Sequence, residues 1–499
     1  MDNFFVKVSP ESEGLSSKLI TELLDNLREK KVDLHGFMIV RNNKILAEGY
    51  AKPFDENFKH RIYSCSKTIA SFAIGKLVTE GKISVTDKLV DFFPEFKDLA
   101  DEEISKTTIE DLLTMRVAIP TTTYVDWSKV PSGIITYIKK DWAKSSFEAK
   151  WDLYNSTLFR YNTSASYLLN VIVEKLTGMP YLEYLRPEFD KLGINKDIFC
   201  VTSPDGYSWG GSGVCCTLKD FAKMNLLLLN KGEFDGEQLI SYDYMQKATS
   251  HIADNAVGGY QWVSNCGYGY QTWIEPYGYG MHGMYGQDSH CFPDKNFMVV
   301  IQSGFANDYA TVIRESIYDA SVKMYKSLKD EPIKETIAST KALDKAISKM
   351  TINYSFGEKH STLEEKINKK RYVLENNRMK IEWFELHFLK RKGVLKFKNA
   401  NGIQKIPFGY DNFIKTETPE KWSGKQIDTF MDKGYDSLSS LSWLTPTSAL
   451  LQLKMIDIYF GQVNFEFQFI EDKVVLKAHK TTEFFMYDYE GVAIGKLKE

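Results

Sequence analysis

Ser64 and Lys67 stand three residues apart in Ser64-Cys65-Ser66-Lys67, at the head of a run from Thr68 to Leu77 predicted to be helical. Residues three apart share one face of a helix, so a hydroxyl and an amine could lie side by side. A serine hydroxyl is a weak nucleophile until a neighbouring base takes its proton. Lys67 can be that base if burial and neighbouring groups lower its proton affinity. Ser64 would also sit in the first turn, where unpaired backbone N–H groups and the helix dipole favour negative charge. Serine and lysine are common, so the pair needs further parts before it implies catalysis.

Two other stretches could supply those parts. Tyr161-Asn162-Thr163 precedes a second predicted helix, Ala165 to Leu176. A tyrosine there can accept and return a proton if cations stabilise its phenolate, or it can simply pack its ring at the helix start. The segment from Tyr279 to Gln287 contains Gly280, Gly283 and Gly286. Glycine lets a backbone approach a ligand closely, and a strand edge there would offer N–H groups to an oxyanion. A Gly/aromatic turn with an exposed or capped His282 is the plainer alternative.

These residues need a scaffold. Leu19, Ile20, Leu23, Leu24 and Leu27 form a helical stripe between Ser16 and Lys30. Gly36–Arg41 and Lys44–Gly49 flank Asn42-Asn43, a short-turn hairpin signal. Helical and loop patterns dominate from about Asp87 to Ile198. Strand patterns return near residue 260. Gly283–Phe292 and Asn296–Ile301 read as a hairpin around Pro293-Asp294-Lys295, and a helix near Thr311–Ser327 closes this part. The order suits an antiparallel sheet flanked by helices, plus an all-helical lobe, better than alternating βαβ units. Residues 329–350 read as a charged linker with a helical piece. Beyond them, period-two runs such as Lys380–Leu386 and Val463–Phe469 predict an all-β barrel or sandwich. The expected division is therefore a catalytic domain over 1–328, a linker over 329–350 and a β-rich domain over 351–499. The last carries no cluster of catalytic residue types, which leaves it a structural, lid or contact role.

With 499 residues, the chain is long enough for more than one core, and 43% hydrophobic residues are ordinary for a globular protein. A net charge of −3 gives no reason to expect nucleic acid or an anionic membrane as partner. No run approaches the roughly 20 apolar residues of a membrane span. The N-terminus lacks the apolar run of a secretory signal, and the six cysteines fit no zinc spacing, so free thiols in a cytoplasmic protein are expected. No metal or organic cofactor is implied, and nothing sets the oligomeric state.

Together, S-x-x-K, the Tyr161 element and Met281-His282-Gly283 resemble the serine β-lactamase and penicillin-binding-protein superfamily, in particular its class C-like esterase branch. Gly210–Val214 followed by Thr217–Lys223 also looks like it, and the resemblance spans roughly residues 8 to 327. It implies an α+β fold and catalysis through an acyl-enzyme. Ser64 would be the nucleophile, Lys67 its proton-sharing partner and Tyr161 the second base. The N–H groups of Ser64 and Met284 would form the oxyanion hole, and Asn162, Met281, His282 and Gly283 would border the substrate.

Two departures bear on the substrate. Asn162 directly follows Tyr161, where the family's Tyr-x-Asn form has its Asn one place later. Met281-His282-Gly283 stands where relatives have Lys-Thr-Gly, removing the lysine that faces a substrate carboxylate. An ester or amide without an essential carboxylate is therefore favoured over a β-lactam or a D-amino-acid peptide. An aromatic run, including Tyr260, Trp262, Tyr268, Tyr270, Trp273 and Tyr285, could line an apolar cleft. Two rivals stand beside this reading. Gly206-Tyr207-Ser208-Trp209-Gly210 matches the G-x-S-x-G elbow of α/β-hydrolases, but in a loop context. A catalytically silent scaffold with the same fold is the other.

Overall fold

The computed structural model describes residues 4–117, 141–149, 158–256, 265–305, 310–353, 356–410, 412–418, 434–480 and 489–498. Tyr260 and Trp262 lie outside the described residues. The chain divides into two compact units, Met1–Ile352 and Asn353–Glu499.

The first unit is built on an antiparallel sheet of β1 (Leu34–Arg41), β2 (Lys44–Tyr50), β3 (Trp273–Glu275), β4 (Gly278–Gly283), β5 (Gln287–Phe292) and β6 (Phe297–Ser303). The strand order is β2-β1-β6-β5-β4-β3. Asn42 and Asn43 turn β1 into β2 with φ of 50° and 59°, the two left-handed positions that a tight hairpin requires. β1, β5 and β6 are buried along their whole length, so they lack the alternation of a half-exposed strand.

Helices cover the sheet. α1 (Ser17–Glu29) buries Ile20, Leu23, Leu24 and Leu27 in a core that includes Phe37, Ile39, Val299 and Ile301. Ile317 and Met324 from a C-terminal helix, Ala310–Ser327, join the same core. The helical lobe contains α2 (Ser66–Thr79) and α3 (Thr163–Thr177). Every residue of α2 from Ser66 to Leu77 is buried, its polar side chains included. α3 ends at Gly178, whose φ of 71° is a left-handed cap. α4 (Leu218–Leu229) opens with a capping box between Thr217 and Asp220. Tyr279 of β4 donates to the carbonyls of Leu228 and Leu229, both at 3.2 Å, tying α4 to the sheet. The helices Ala310–Ser327 and Ile337–Ser348 are α5 and α6.

Two expectations need correction. The stretch 329–350 contains α6, which buries Leu343 and Ala346 in the first unit's core. Its two inward residues are masked in the sequence by the charges around them. The segment 283–292 is not one strand. Tyr285 and Gly286, with φ of 61° and 81°, turn the chain between β4 and β5.

The second unit contains ten strands among the described residues. Nine close on themselves, because Gly409 of Gly402–Gly409 pairs with Ser440 of Asp436–Thr445. Ile414–Glu417 pairs on the latter as an extra strand. Along Phe460–Ile470 the inward residues are Val463, Phe465, Phe467 and Phe469, the period-two pattern of a barrel wall. This is a closed barrel filled by its own aromatic side chains.

Candidate active site

Ser64 occupies a 3₁₀ turn, Tyr63–Cys65, that runs directly into α2. Tyr63 takes a φ of 46°, a strained conformation for a bulky residue, and so bends the chain sharply before the serine. Lys67, the second residue of α2 and three after Ser64, is 1% exposed. Its Nζ donates to Ser64 Oγ at 3.1 Å and to the Gly211 carbonyl at 2.6 Å. Burial lowers the Lys67 pKa from 10.5 to about 7, and the Arg61 charge adds to this while Cys65 opposes it. Lys67 can therefore shed its proton near neutral pH and accept the one on Ser64.

The Gly211 carbonyl is placed by a loop that Arg61 holds. Arg61 is fully buried, and its Nε and Nη2 donate to the Ser212 carbonyl and Oγ at 2.7 and 3.1 Å. Its guanidinium also lies over Tyr63 and Trp209, 4.5 and 4.7 Å from their ring centroids. Gly211 has no room for a side chain, since a Cβ would meet Thr163 Cγ2 at 2.7 Å.

Tyr161 lies against Lys67, whose Nζ is 4.9 Å from the phenol ring centroid. Trp273 stacks on Tyr161 at 5.3 Å, and Tyr268 meets it edge-on at 6.4 Å. Tyr268 and Trp273 are 1% and 4% exposed, so these two rings buttress Tyr161 rather than wall an open cleft. Gln271 ties the lobe together. Its side chain donates to the carbonyls of Leu112 and Leu113 and accepts from Ser166, and its carbonyl accepts from Thr68.

The third part is the end of β4. A Cβ on Gly283 would lie 2.4 Å from the Ile62 carbonyl oxygen and 3.2 Å from Ser64 N. Only glycine lets the strand reach the serine's turn. Met284 follows, half-buried, and Tyr285 packs edge-to-face on Tyr63 at 5.2 Å. Ser303 Oγ donates to the carbonyls of Tyr285 and Gly286 at 3.0 and 2.7 Å, and Gln287 donates to the Met284 carbonyl at 3.2 Å. Ser64, Lys67, Tyr161 and the Gly283-Met284 peptide thus converge from three parts of the chain.

The remaining expected residues are placed otherwise. Asn162 caps α3, its carboxamide oxygen accepting from Ser164 N at 2.8 Å and Ala165 N at 3.3 Å. Met281 is 1% exposed, and its N–H donates to Ser289 Oγ at 3.1 Å. His282 is enclosed, with Nδ1 2.9 Å from Asp288 and Nε2 3.0 Å from Glu275. Glu275 also meets His290 Nδ1 at 2.8 Å, and Arg314 of α5 pairs with Asp288. Burial would lower the His282 pKa, but its two carboxylate partners outweigh this and raise it. Burial would raise the Asp288 pKa, but Arg314 and His282 hold it down. Glu275, His282 and His290 bring three donor atoms within 4.8 Å, a set able to hold a metal ion. The same atoms also close as an ion-paired network with Asp288 and Arg314.

Sequence reasoning missed that network. Its one signal was Asp288 and His290 two apart on a strand, which puts both on one face. Ser208 of the rival elbow lies in a loop, with its N–H 3.3 Å from Glu174 and no helix directly after it. No described helix is long and apolar enough to cross a membrane, and all six cysteines are free.

The Beta-lactamase family model matches residues 24–317, more than half of the chain. The chain belongs to this family. It is 26% identical to the 6-aminohexanoate-dimer hydrolase of Paenarthrobacter ureafaciens over 247 residues, which is 47% of this chain and 61% of that one. It is 24% identical over 215 residues to a Salmonella agona protein named "Putative D-alanyl-D-alanine carboxypeptidase", covering 38% of this chain and 50% of the relative. The chain thus spans half to three-fifths of these relatives' lengths. Among solved structures, the Bacillus anthracis "Putative 6-aminohexanoate-dimer hydrolase" superposes with a TM-score of 0.52 at 21% identity. That likeness covers 65% of this chain and 89% of that one, and it establishes the fold alone.

Proposed function

We propose that this protein is a serine hydrolase that cleaves an ester or amide through an acyl-enzyme on Ser64. The observation that carries the reading is the buried Lys67 amine, 3.1 Å from Ser64 Oγ with its pKa brought to about 7. Lys67 takes the Ser64 proton as Oγ attacks the substrate carbonyl. Tyr161, beside Lys67, passes its proton to the leaving group and is reprotonated by Lys67, which returns to the free amine. The N–H groups of Ser64 and Met284 stabilise the oxyanion, where one such donor is typically worth about 10²–10³ in rate. Water then cleaves the ester to Ser64, with Tyr161 or Lys67 as base, and restores the free serine.

The preferred substrate class rests on what stands where relatives carry a lysine. The position of the family's carboxylate-facing lysine is Met281, which is uncharged and buried. His282 beside it is already paired with two carboxylates. An ester or amide without an essential carboxylate is therefore preferred to a β-lactam or a D-amino-acid peptide. The name of the 6-aminohexanoate-dimer hydrolase relative points to an amide-cleaving member of the family. The catalytic steps are assigned to the unit ending at Ile352, with the barrel in a supporting role.

A fluorophosphonate probe tests this. Intact protein should be labelled on the Ser64 peptide, Ser64→Ala should be silent and Ser208→Ala should label normally. A silent wild-type protein would favour the scaffold reading, and loss of label in Ser208→Ala alone would favour the elbow.

A further inference from the structure

The ion-paired network of the sheet and α5 reaches the Gly283-Met284 peptide through Arg314. Arg314 has a forked guanidinium. Nη1 donates to Asp288 and Nη2 donates to the Gly283 carbonyl. Gly283 contributes that oxygen to the same peptide unit that contributes the Met284 N–H. The unit is trans, since the one cis bond among the described residues is Lys52-Pro53. In a trans peptide, C=O and N–H point in opposite directions in one plane. Pinning the oxygen toward α5 therefore turns the Met284 N–H the other way.

Several features make this brace stiff. Arg314 is 8% exposed and Asp288 fully buried, so water does not compete for either. His282 pairs with the same Asp288 oxygen at 2.9 Å, and Glu275 holds His282 from its other nitrogen at 3.0 Å. Asp288 and His282 are also direct partners across the β4–β5 ladder. The carbonyl thus meets a cation fixed on its far side. A cation on a peptide oxygen draws electron density from the nitrogen and makes the N–H a stronger donor. Resting on the acyl-enzyme reading above, we infer that Arg314 is a positioning residue: it aims and polarises the Met284 N–H for the oxyanion, with Asp288 and His282 holding Arg314 in place.

The test uses Arg314→Lys in the full chain. Lysine keeps the charge beside Asp288 but lacks the planar fork that reaches two acceptors at once. Asp288→Asn is the second variant. It loosens the clamp on Arg314 without removing the fork, and circular dichroism checks that each variant is folded. The substrates are a 4-nitrophenyl ester and its thiono analogue, in which C=S replaces C=O. Sulfur accepts hydrogen bonds poorly, so oxyanion donors assist the oxoester far more.

Arg314→Lys should lower kcat for the oxoester by about 10-fold to 100-fold, part of the value of one oxyanion donor. KM should hardly move, and the oxo/thiono rate ratio should fall with kcat. Asp288→Asn should shift the ratio in the same direction by less. If both substrates slow equally, or the ratio stays at its wild-type value in both variants, the positioning role is overturned while Ser64 catalysis stands. If the wild-type protein turns over neither ester and no probe labels Ser64, the underlying reading fails and takes the inference with it.

Discussion

Replacing Lys67 tests the site at its centre. Its ammonium is buried, with a pKa brought from 10.5 to about 7. At about 1.36 kcal/mol per pH unit, enclosure disfavours the charged form by about 5 kcal/mol. At pH 7 roughly half of the protein then holds a free amine, against about one lysine in three thousand in water. The acid limb of kcat/KM for an activated ester should therefore rise through about pH 7 and level off above it. Lys67→Ala should abolish that limb and lower the rate by at least about 10²-fold. Lys67→Arg keeps the charge but cannot become a neutral base, so it should fall as far. The sign of the stability effect is also set. Between about pH 7 and 10.5 the unfolded chain binds a proton at this lysine that the native protein does not, so this group's contribution rises with pH. Lys67→Met should gain most over wild type below pH 7, and the gain should shrink toward pH 10.5 in chemical denaturation. A limb near pH 7 that persists in Lys67→Ala, or near-normal turnover by Lys67→Arg, would refute the reasoning.

Other substitutions divide chemistry from structure. Tyr161→Phe keeps the stacking on Trp273 but loses the hydroxyl, and should slow steady-state ester hydrolysis by at least about 10²-fold while the melting temperature holds. Asn162→Ala removes a helix cap and should cost about 1 kcal/mol in denaturant unfolding, with KM nearly unmoved; a large KM rise would return Asn162 to the substrate. Gly283→Ala places a Cβ 2.4 Å from the Ile62 carbonyl. It should lower kcat by at least about 10²-fold through the displaced oxyanion peptide, and a fully active variant would show that the β4 end does not serve the oxyanion.

What the sequence made legible was what is local. The Ser64–Lys67 spacing is one helical turn, and the Tyr161 position is the start of another helix. Asn42-Asn43 announced a hairpin because both residues tolerate left-handed backbone. The His282 network was not legible, because it depends on register. Asp288 meets His282, and His290 sits opposite Gly280, only once β4 and β5 pair with a turn at Met284–Gly286. Glu275 arrives from β3, a third strand. Asn162 has a role that is local, the cap of α3, beside the substrate contact that the resemblance implies.

The strained residues explain why the site needs both of its distant segments. Tyr63 directly precedes the serine, and Tyr285 directly follows Met284. Each holds a positive φ, at 46° and 61°, and neither conformation is favoured by a bulky side chain. Their rings meet edge-to-face, both almost fully buried. Strain of this kind persists only where the surroundings over-determine it. Here each tyrosine is part of the other's surroundings, so the bend that presents Ser64 and the turn that presents Met284 hold one another. Arg61 lies over the Tyr63 ring, while Ser303 anchors the Tyr285 carbonyl from the sheet. The proposed nucleophile and the proposed oxyanion donor are thereby tied by one contact rather than set by two independent loops, which is what the acyl-transfer reading requires of a rigid, preorganised site.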